Sequence, residues 1–274
     1  MPFDAMNRRG LVLLGCGKMG QALLDGWLAG GLAPAAVSVL DPAPSERLQE
    51  LAAQGLRLNG DLPAAPAACL LAVKPQQMAD ALPRVAQLAG GDTVFVSIAA
   101  GTTLAALEAG LGAPAPIIRA MPNTPAAIGR GITALVGNAR ADGAALALAE
   151  TLMAAVGQTV RLDGEAQMDA VTALSGSGPG YVFQMIEALA EAGAAEGLPP
   201  DLAMRLAIAT VAGAGALAEA SDATPAALRE AVTSPGGTTQ AGLAVLRETG
   251  GLPDLMRRAV AAAAGRSREL RGDA

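Results

Sequence analysis

Gly10-Leu11-Val12-Leu13-Leu14-Gly15-Cys16-Gly17-Lys18-Met19-Gly20 decides the fold. A short apolar run, a buried strand by its length, ends in G-x-G-x-x-G, and residues 18–29 follow as a helix stopped by Gly30-Gly31. Each glycine has a task in that setting. Gly15 permits a tight turn, Gly17 lets backbone approach a pyrophosphate, and Gly20 allows close strand–helix packing. The helix N-terminus that opens at Lys18 and Met19 then faces the phosphates of a dinucleotide.

Outward from this unit, short apolar strands alternate with helices over the first 160 or so residues. Strands are expected over 37–40, 68–73, 93–99, 117–120, 132–136 and 158–162, and a helix over about 45–54. Several are continuous apolar runs, the mark of parallel strands covered on both faces. The alternation predicts an α/β fold with a Rossmann-type, doubly wound parallel sheet in residues 1–164. Beyond Gly164 strand signals stop. Helices are expected over 181–196, 202–220, 225–232, 239–248 and 253–270, so residues 165–274 form an all-α domain. Several of these helices are apolar nearly all round, which calls for a second copy of the chain and an obligate homodimer.

Composition narrows the chemistry. The 274 residues carry a net charge of −6, with no basic cluster to suit nucleic acid or an anionic membrane. Histidine is absent, which removes the commonest general acid–base and the commonest zinc ligand, and no metal site is expected. A zinc hydrolase and a Ser-His-Asp enzyme are excluded. The two cysteines, Cys16 and Cys69, fall in or beside buried strands, so a reduced, cytoplasmic setting is expected rather than a disulfide framework. The uncharged run 206–218 is thirteen residues long, too short to span a bilayer.

Candidate cofactor residues collect at strand ends, the edge where ligands bind in such sheets. Asp41 closes the second strand, 21 residues after Gly20. An acid there accepts the ribose hydroxyls of NADH and repels the extra phosphate of NADPH, although it also suits a helix cap, and Ser45 and Arg47 stand ready for a phosphate. Asn59 follows the next segment on the adenosine side. Ala72, Lys74 and Pro75 leave one strand, Ala99 leaves the next, and Asn123 lies between Pro122 and Pro125, close to where a nicotinamide belongs. Lys74 is one of only two lysines, and it reads equally as a surface residue.

In the helical half, Val232-Thr233-Ser234-Pro235-Gly236-Gly237-Thr238-Thr239-Gln240 is out of keeping with its Ala- and Leu-rich surroundings. Pro235 and the glycine pair stop one helix, and the next begins near Thr238. Its free N–H groups beside the hydroxyls of Ser234, Thr238 and Thr239 suit a small carboxylate; the alternative is an ordinary capped helix connection.

These segments together resemble pyrroline-5-carboxylate reductase over nearly the whole chain. The resemblance is carried by residues 15–20, Val73-Lys74-Pro75, 97–101, Arg119 to Pro125, the run DAVTALSGSGPGY from Asp169 to Tyr181, and the VTSPGGTT loop. It implies NADPH- or NADH-dependent reduction of 1-pyrroline-5-carboxylate to L-proline, the last step of proline biosynthesis. It also implies a helical domain interlocked with a partner's, and in some relatives five dimers. Ser234, Gly236, Gly237 and Thr238 would hold the substrate carboxylate, and the Thr239 hydroxyl the ring nitrogen; Ser234 and Thr239 are thus the candidate catalytic residues.

Three positions depart from the family pattern. Gly180 replaces a usual Ala, Arg247 a usual acid or amide, and Asp41 a residue suited to a 2′-phosphate, which tilts the cofactor toward NADH. Tyr181 and Asp222 read as helix-start and loop residues. Two competing readings are another imine or a β-hydroxyacid reductase, and a dinucleotide sensor. The β-hydroxyacid type needs a lysine in the helical half, where this chain has none, and a sensor has no use for a carboxylate loop.

Overall fold

The computed structural model describes residues 2–271. The chain forms two compact units: residues up to 176 joined by those from 264 onward, and residues 177–263.

The first unit is built on eight strands: β1 Leu11–Leu14, β2 Val37–Leu40, β3 Arg57–Leu58, β4 Ala68–Leu71, β5 Val94–Ser97, β6 Ile117–Met121, β7 Gly131–Gly137 and β8 Gly157–Arg161. They lie in the order β3-β2-β1-β4-β5-β6-β7-β8. Its helices are α1 Asp4–Arg9, α2 Lys18–Ala29, α3 Glu46–Ala53, α4 Met78–Ala81, α5 Leu104–Leu111, α6 Gly143–Ala154 and α7 Met168–Val171. Every residue of β1, β2, β4 and β5 is buried. Because side chains alternate along a strand, Leu11 and Leu13 pack into one layer with Trp27, Leu48 and Leu152, while Val12 and Leu14 pack into the other with Leu82, Leu107 and Leu111. Helices therefore cover both faces, and the strand C-termini are left as the open edge.

The sheet differs from the all-parallel expectation at one place. β6 and β7 pair antiparallel, with Arg119 opposite Val136, and β8 pairs parallel to β7. Only residues 122–130 connect β6 to β7, with a tight turn over Thr124–Ile128. A parallel return needs a crossover of about a dozen residues or more, so the chain must come back antiparallel. Pro75 and Pro83 likewise replace one regular helix between β4 and β5 by short turns around α4.

The second unit contains α8 Gly178–Ala195, α9 Pro200–Ala220, α10 Pro225–Ala231, α11 Thr238–Leu246 and the start of α12 Leu252–Leu270. In α8 and α9 only Ala190, Ala203 and Ala207 are buried, and in α10 and α11 no residue is. The apolar residues of α8 are largely uncovered, with Val182, Met185 and Leu189 exposed, as are Leu206, Ile208 and Leu217 of α9. A unit with so little core needs another surface against it. At 21 residues α9 exceeds its uncharged run, and by length and composition alone it is long and apolar enough to cross a membrane.

Candidate functional site

The loop after β1 has the geometry that its glycines predict. Gly15 has φ of 81°, and a Cβ there would stand 2.8 Å from Val73 Cγ1 and 3.0 Å from the Ala72 carbonyl oxygen. Gly20 is buried, its would-be Cβ 3.1 Å from the Gly15 carbonyl oxygen. Gly17 is different: it is exposed, it caps the N-terminus of α2, and a Cβ there would meet no atom within 4 Å. Two glycines thus close the loop onto the sheet, and the middle one keeps open space at a helix N-terminus that no side chain caps. That cradle fits a pyrophosphate. Lys18 is exposed beside it, and Met19 is half-buried.

Asp41 and Asn59 hold this loop in place. The Asp41 carboxylate accepts the Cys16 N–H at 2.6 Å through one oxygen and the Ala43 N–H at 2.8 Å through the other. Asn59, in the left-handed region at φ 53°, pairs both amide atoms with the Asp41 main chain, at 2.9 and 2.8 Å. A carboxylate offers about four acceptor sites, so two remain for ribose hydroxyls. Ser45, by contrast, is a helix cap, accepting the Leu48 N–H. Burial first, then the Asp41 and Asp25 carboxylates, push the Cys16 thiol up to about 12, so it stays a neutral packing group.

The remaining strand ends gather along the same edge. Ala72 is half-buried after β4 and donates its N–H to Leu14 of β1, while Lys74 and Pro75 stand exposed. Ala99 is buried after β5. Asn123, after β6, accepts the Ile132 N–H at 2.9 Å and donates to the Ser175 hydroxyl at 3.3 Å. Ser175 belongs to one turn of π-helix, Thr172–Gly176, that follows α7 directly. Such turns are rare and concentrate at functional places. Below it, buried Asp169 accepts the Ser267 hydroxyl at 2.7 Å and pairs with Arg271 at 3.2 Å, which ties the end of α12 to α7. Buried Arg119 pairs with Glu165 at 2.6 Å, and the same oxygen of Glu165 receives the Leu104 N–H at the start of α5. Sequence reasoning named neither contact as part of the site.

In the second unit, the 232–240 loop makes a compact nest. Gly236 has φ of 72°, and its N–H bonds to the Gln240 side-chain oxygen. Gly237 caps α11 without a side-chain bond, and a Cβ on it would lie 3.1 Å from Ser234 Oγ. The Ser234 hydroxyl therefore lies close to the N-cap residue of α11, and the amides of 238–240 precede the helix bond from Ala241 to Gly237. Thr238 and Thr239 are both exposed on the first turn of α11. Among the described residues neither the Ser234 nor the Thr239 hydroxyl is engaged in a hydrogen bond. Two free hydroxyls and the first-turn amides at a positive helix end are donors of the kind that suit a small anion. Tyr181 sits in the first turn of α8 with its hydroxyl buried and unpartnered among the described residues, and Asp222 is exposed in a loop.

The chain is 39% identical to a pyrroline-5-carboxylate reductase of Pseudomonas aeruginosa, over 97% of this chain and 98% of that one. It belongs to the pyrroline-5-carboxylate reductase family. A second pyrroline-5-carboxylate reductase, from Pisum sativum, is 38% identical over 95% of each chain. The family model described as pyrroline-5-carboxylate reductase dimerisation matches residues 165–270, and one described as NADP oxidoreductase, coenzyme F420-dependent, matches residues 10–101. Among solved structures, a pyrroline-5-carboxylate reductase from Coxiella burnetii superposes with a TM-score of 0.89 at 34% identity, covering 96% of this chain and 98% of the other. The Plasmodium falciparum pyrroline carboxylate reductase, solved with NADP bound, gives 0.83 at 26% identity, covering 97% and 99%.

For a reductase of this family, the exposed apolar helices have a ready explanation. The matched dimerisation segment contains α8, α9 and α11, whose apolar faces the single chain leaves uncovered. The chain is thus a homo-oligomer, and its first unit is a nicotinamide-nucleotide domain.

Proposed function

We propose that this chain reduces 1-pyrroline-5-carboxylate to L-proline with NADH or NADPH, through the 234–239 loop as carboxylate receptor. The observation that carries this reading is the free Ser234 hydroxyl beside the uncapped N-terminus of α11, in a chain whose other unit has a dinucleotide cradle. Residues 1–164 serve as the cofactor domain and residues 165–274 as the dimerisation and substrate domain. The homodimer is the working unit, with a pentamer of dimers as its higher assembly, in the cytoplasm and off the membrane. Free Cys16 and Cys69 accord with that compartment.

Gly15, Gly17, Lys18, Met19 and Gly20 hold the pyrophosphate in this reading, and Asp41, itself fixed by Asn59, receives the ribose. Ala72, Lys74, Pro75, Ala99 and Asn123 line the path toward the nicotinamide end. When bound there, the reduced cofactor supplies a hydride for the imine carbon.

The protein's own part is positioning. Ser234, with the Thr238 amide and the turn at Gly236 and Gly237, fixes the carboxylate and so selects the ring face presented; the Gly237 N–H, named as a donor from the resemblance, instead donates to the Ser234 carbonyl at 3.0 Å and closes that turn. Thr239 holds the ring nitrogen. A protonated imine is already electrophilic, and hydride addition to the iminium gives the neutral amine without a protein acid, so a histidine-free site suffices.

Initial rates of reduced-cofactor oxidation with 1-pyrroline-5-carboxylate test the reading. Turnover is expected with both cofactors and a lower KM for NADH, because Asp41 repels a 2′-phosphate. No turnover with either refutes the reductase assignment, and a clear preference for NADPH refutes the role given to Asp41.

A further inference from the structure

The carboxylate of Asp41 is not the only charge at the adenosine end of the loop. Arg47, in the first turn of α3, is the cation that the sequence places there for a 2′-phosphate. In the structure its guanidinium is already engaged: Nε and Nη2 reach Asp25 Oδ1 at 3.3 and 3.4 Å, and Nη1 reaches Glu50 at 3.4 Å. Asp25, on α2, also accepts the Gln21 amide at 3.0 Å, and Gln21 in turn accepts the Cys16 thiol at 3.8 Å. The α2 face carrying Gln21 and Asp25 thus runs from the dinucleotide loop to the first turn of α3. With Asp41 the group holds three carboxylates against one guanidinium, and the field is felt at the loop, where Asp41 and Asp25 both oppose ionisation of Cys16.

We propose that Asp25 is a second specificity residue for the cofactor: it occupies Arg47 and withholds that cation from the phosphate that distinguishes NADPH. The proposal rests on the reading that the end of β2 receives the adenosine ribose. A 2′-phosphate there meets Asp41 as a repelling charge and an Arg47 whose charge is spent on Asp25 and Glu50. NADH, with hydroxyls only, needs nothing from Arg47. The pair is half-exposed, with 46% and 44% of the two side chains accessible, so its effect is modest and weakened by salt.

The test compares dissociation constants, from titration of cofactor fluorescence, together with kcat/KM for NADPH and NADH in wild type, Asp25→Ala, Arg47→Ala and the double variant. Asp25→Ala is expected to raise the NADPH value about fivefold, the size such an ion pair carries, with NADH within about twofold. Arg47→Ala alone is expected to leave both cofactors within about twofold, and in the double variant to cancel the gain. Asp25→Asn, which keeps an acceptor for Gln21, is expected to move the ratio in the same direction and guards against a packing artefact. An unchanged ratio in both Asp25 variants overturns the proposal, as does an equal rise for both cofactors. So does a loss of NADPH efficiency in Arg47→Ala alone, since Arg47 would then already be serving the phosphate. The wild-type ratio separately tests Asp41: a wild type that prefers NADPH contradicts that role, while the double-variant comparison still reports whether Asp25 restrains Arg47.

Discussion

Thr239→Ala is expected to lower turnover of 1-pyrroline-5-carboxylate about 10- to 100-fold, the equivalent of a hydrogen bond to a charged group, while cofactor affinity is unchanged. Thr239 is the second residue of α11, exposed, with no hydrogen bond to its hydroxyl among the described residues. A hydroxyl left free at a helix start, where it could have served a local turn, is available to a ligand. The role given to this hydroxyl is toward the substrate nitrogen and not toward the cofactor, so the loss is expected in turnover rather than in cofactor affinity. Loss in kcat with the cofactor dissociation constant unaltered, and recovery in Thr239→Ser, is the expected pattern. A variant with wild-type kinetics removes Thr239 from the mechanism.

Asp169→Ala is expected to cost about 2 to 3 kcal/mol of stability and to lower the thermal midpoint by about 5 °C or more at fixed protein concentration. Asp169 is buried and receives both Ser267 and Arg271, so one substitution unties the end of α12 from α7. Removing one partner of a buried pair is costly because the charge left behind stays desolvated with one contact fewer; partial exposure of Arg271, at 18%, moderates it. The consequence reaches the site. α7 leads straight into Thr172–Gly176, where Ser175 meets Asn123, so the variant is also expected to raise KM for the cofactor. Asp169→Asn retains an acceptor for Ser267 and should fall between the two. An unchanged midpoint in Asp169→Ala contradicts the assigned tie.

Most of the architecture was legible because local signals carried it. The apolar runs at 37–40 and 68–73 and the helix at 18–29 needed only periodicity and the glycine stops. β3, two residues long with neither buried, has no such signal, and β7 reversed direction through a loop length rather than a residue pattern. The packing tasks of Gly15 and Gly20 were readable from position, and the close approaches there accord with them. Asp41 was read for its charge, but its hold on Cys16 could not be seen, because the two residues meet only once β1 and β2 pair. The same is true of Asp169 and Ser267, which are 98 residues apart, and of Arg119 and Glu165, which are 46 apart. The exposure of α8 and α9 was foreshadowed by their nearly uniform apolarity, which a single chain cannot satisfy.

The most direct test of the carboxylate receptor compares two substrates that differ only in that group. Steady-state kcat/KM with NADH is measured for 1-pyrroline-5-carboxylate and for 1-pyrroline, the same ring imine without the carboxylate, in wild type and in Ser234→Ala. The wild type is expected to favour the carboxylate at least about 100-fold, and Ser234→Ala to narrow that ratio about tenfold by losing efficiency only with the carboxylate substrate. Equal efficiency on both imines in the wild type, or an equal loss on both in Ser234→Ala, would contradict a carboxylate receptor at 234–239.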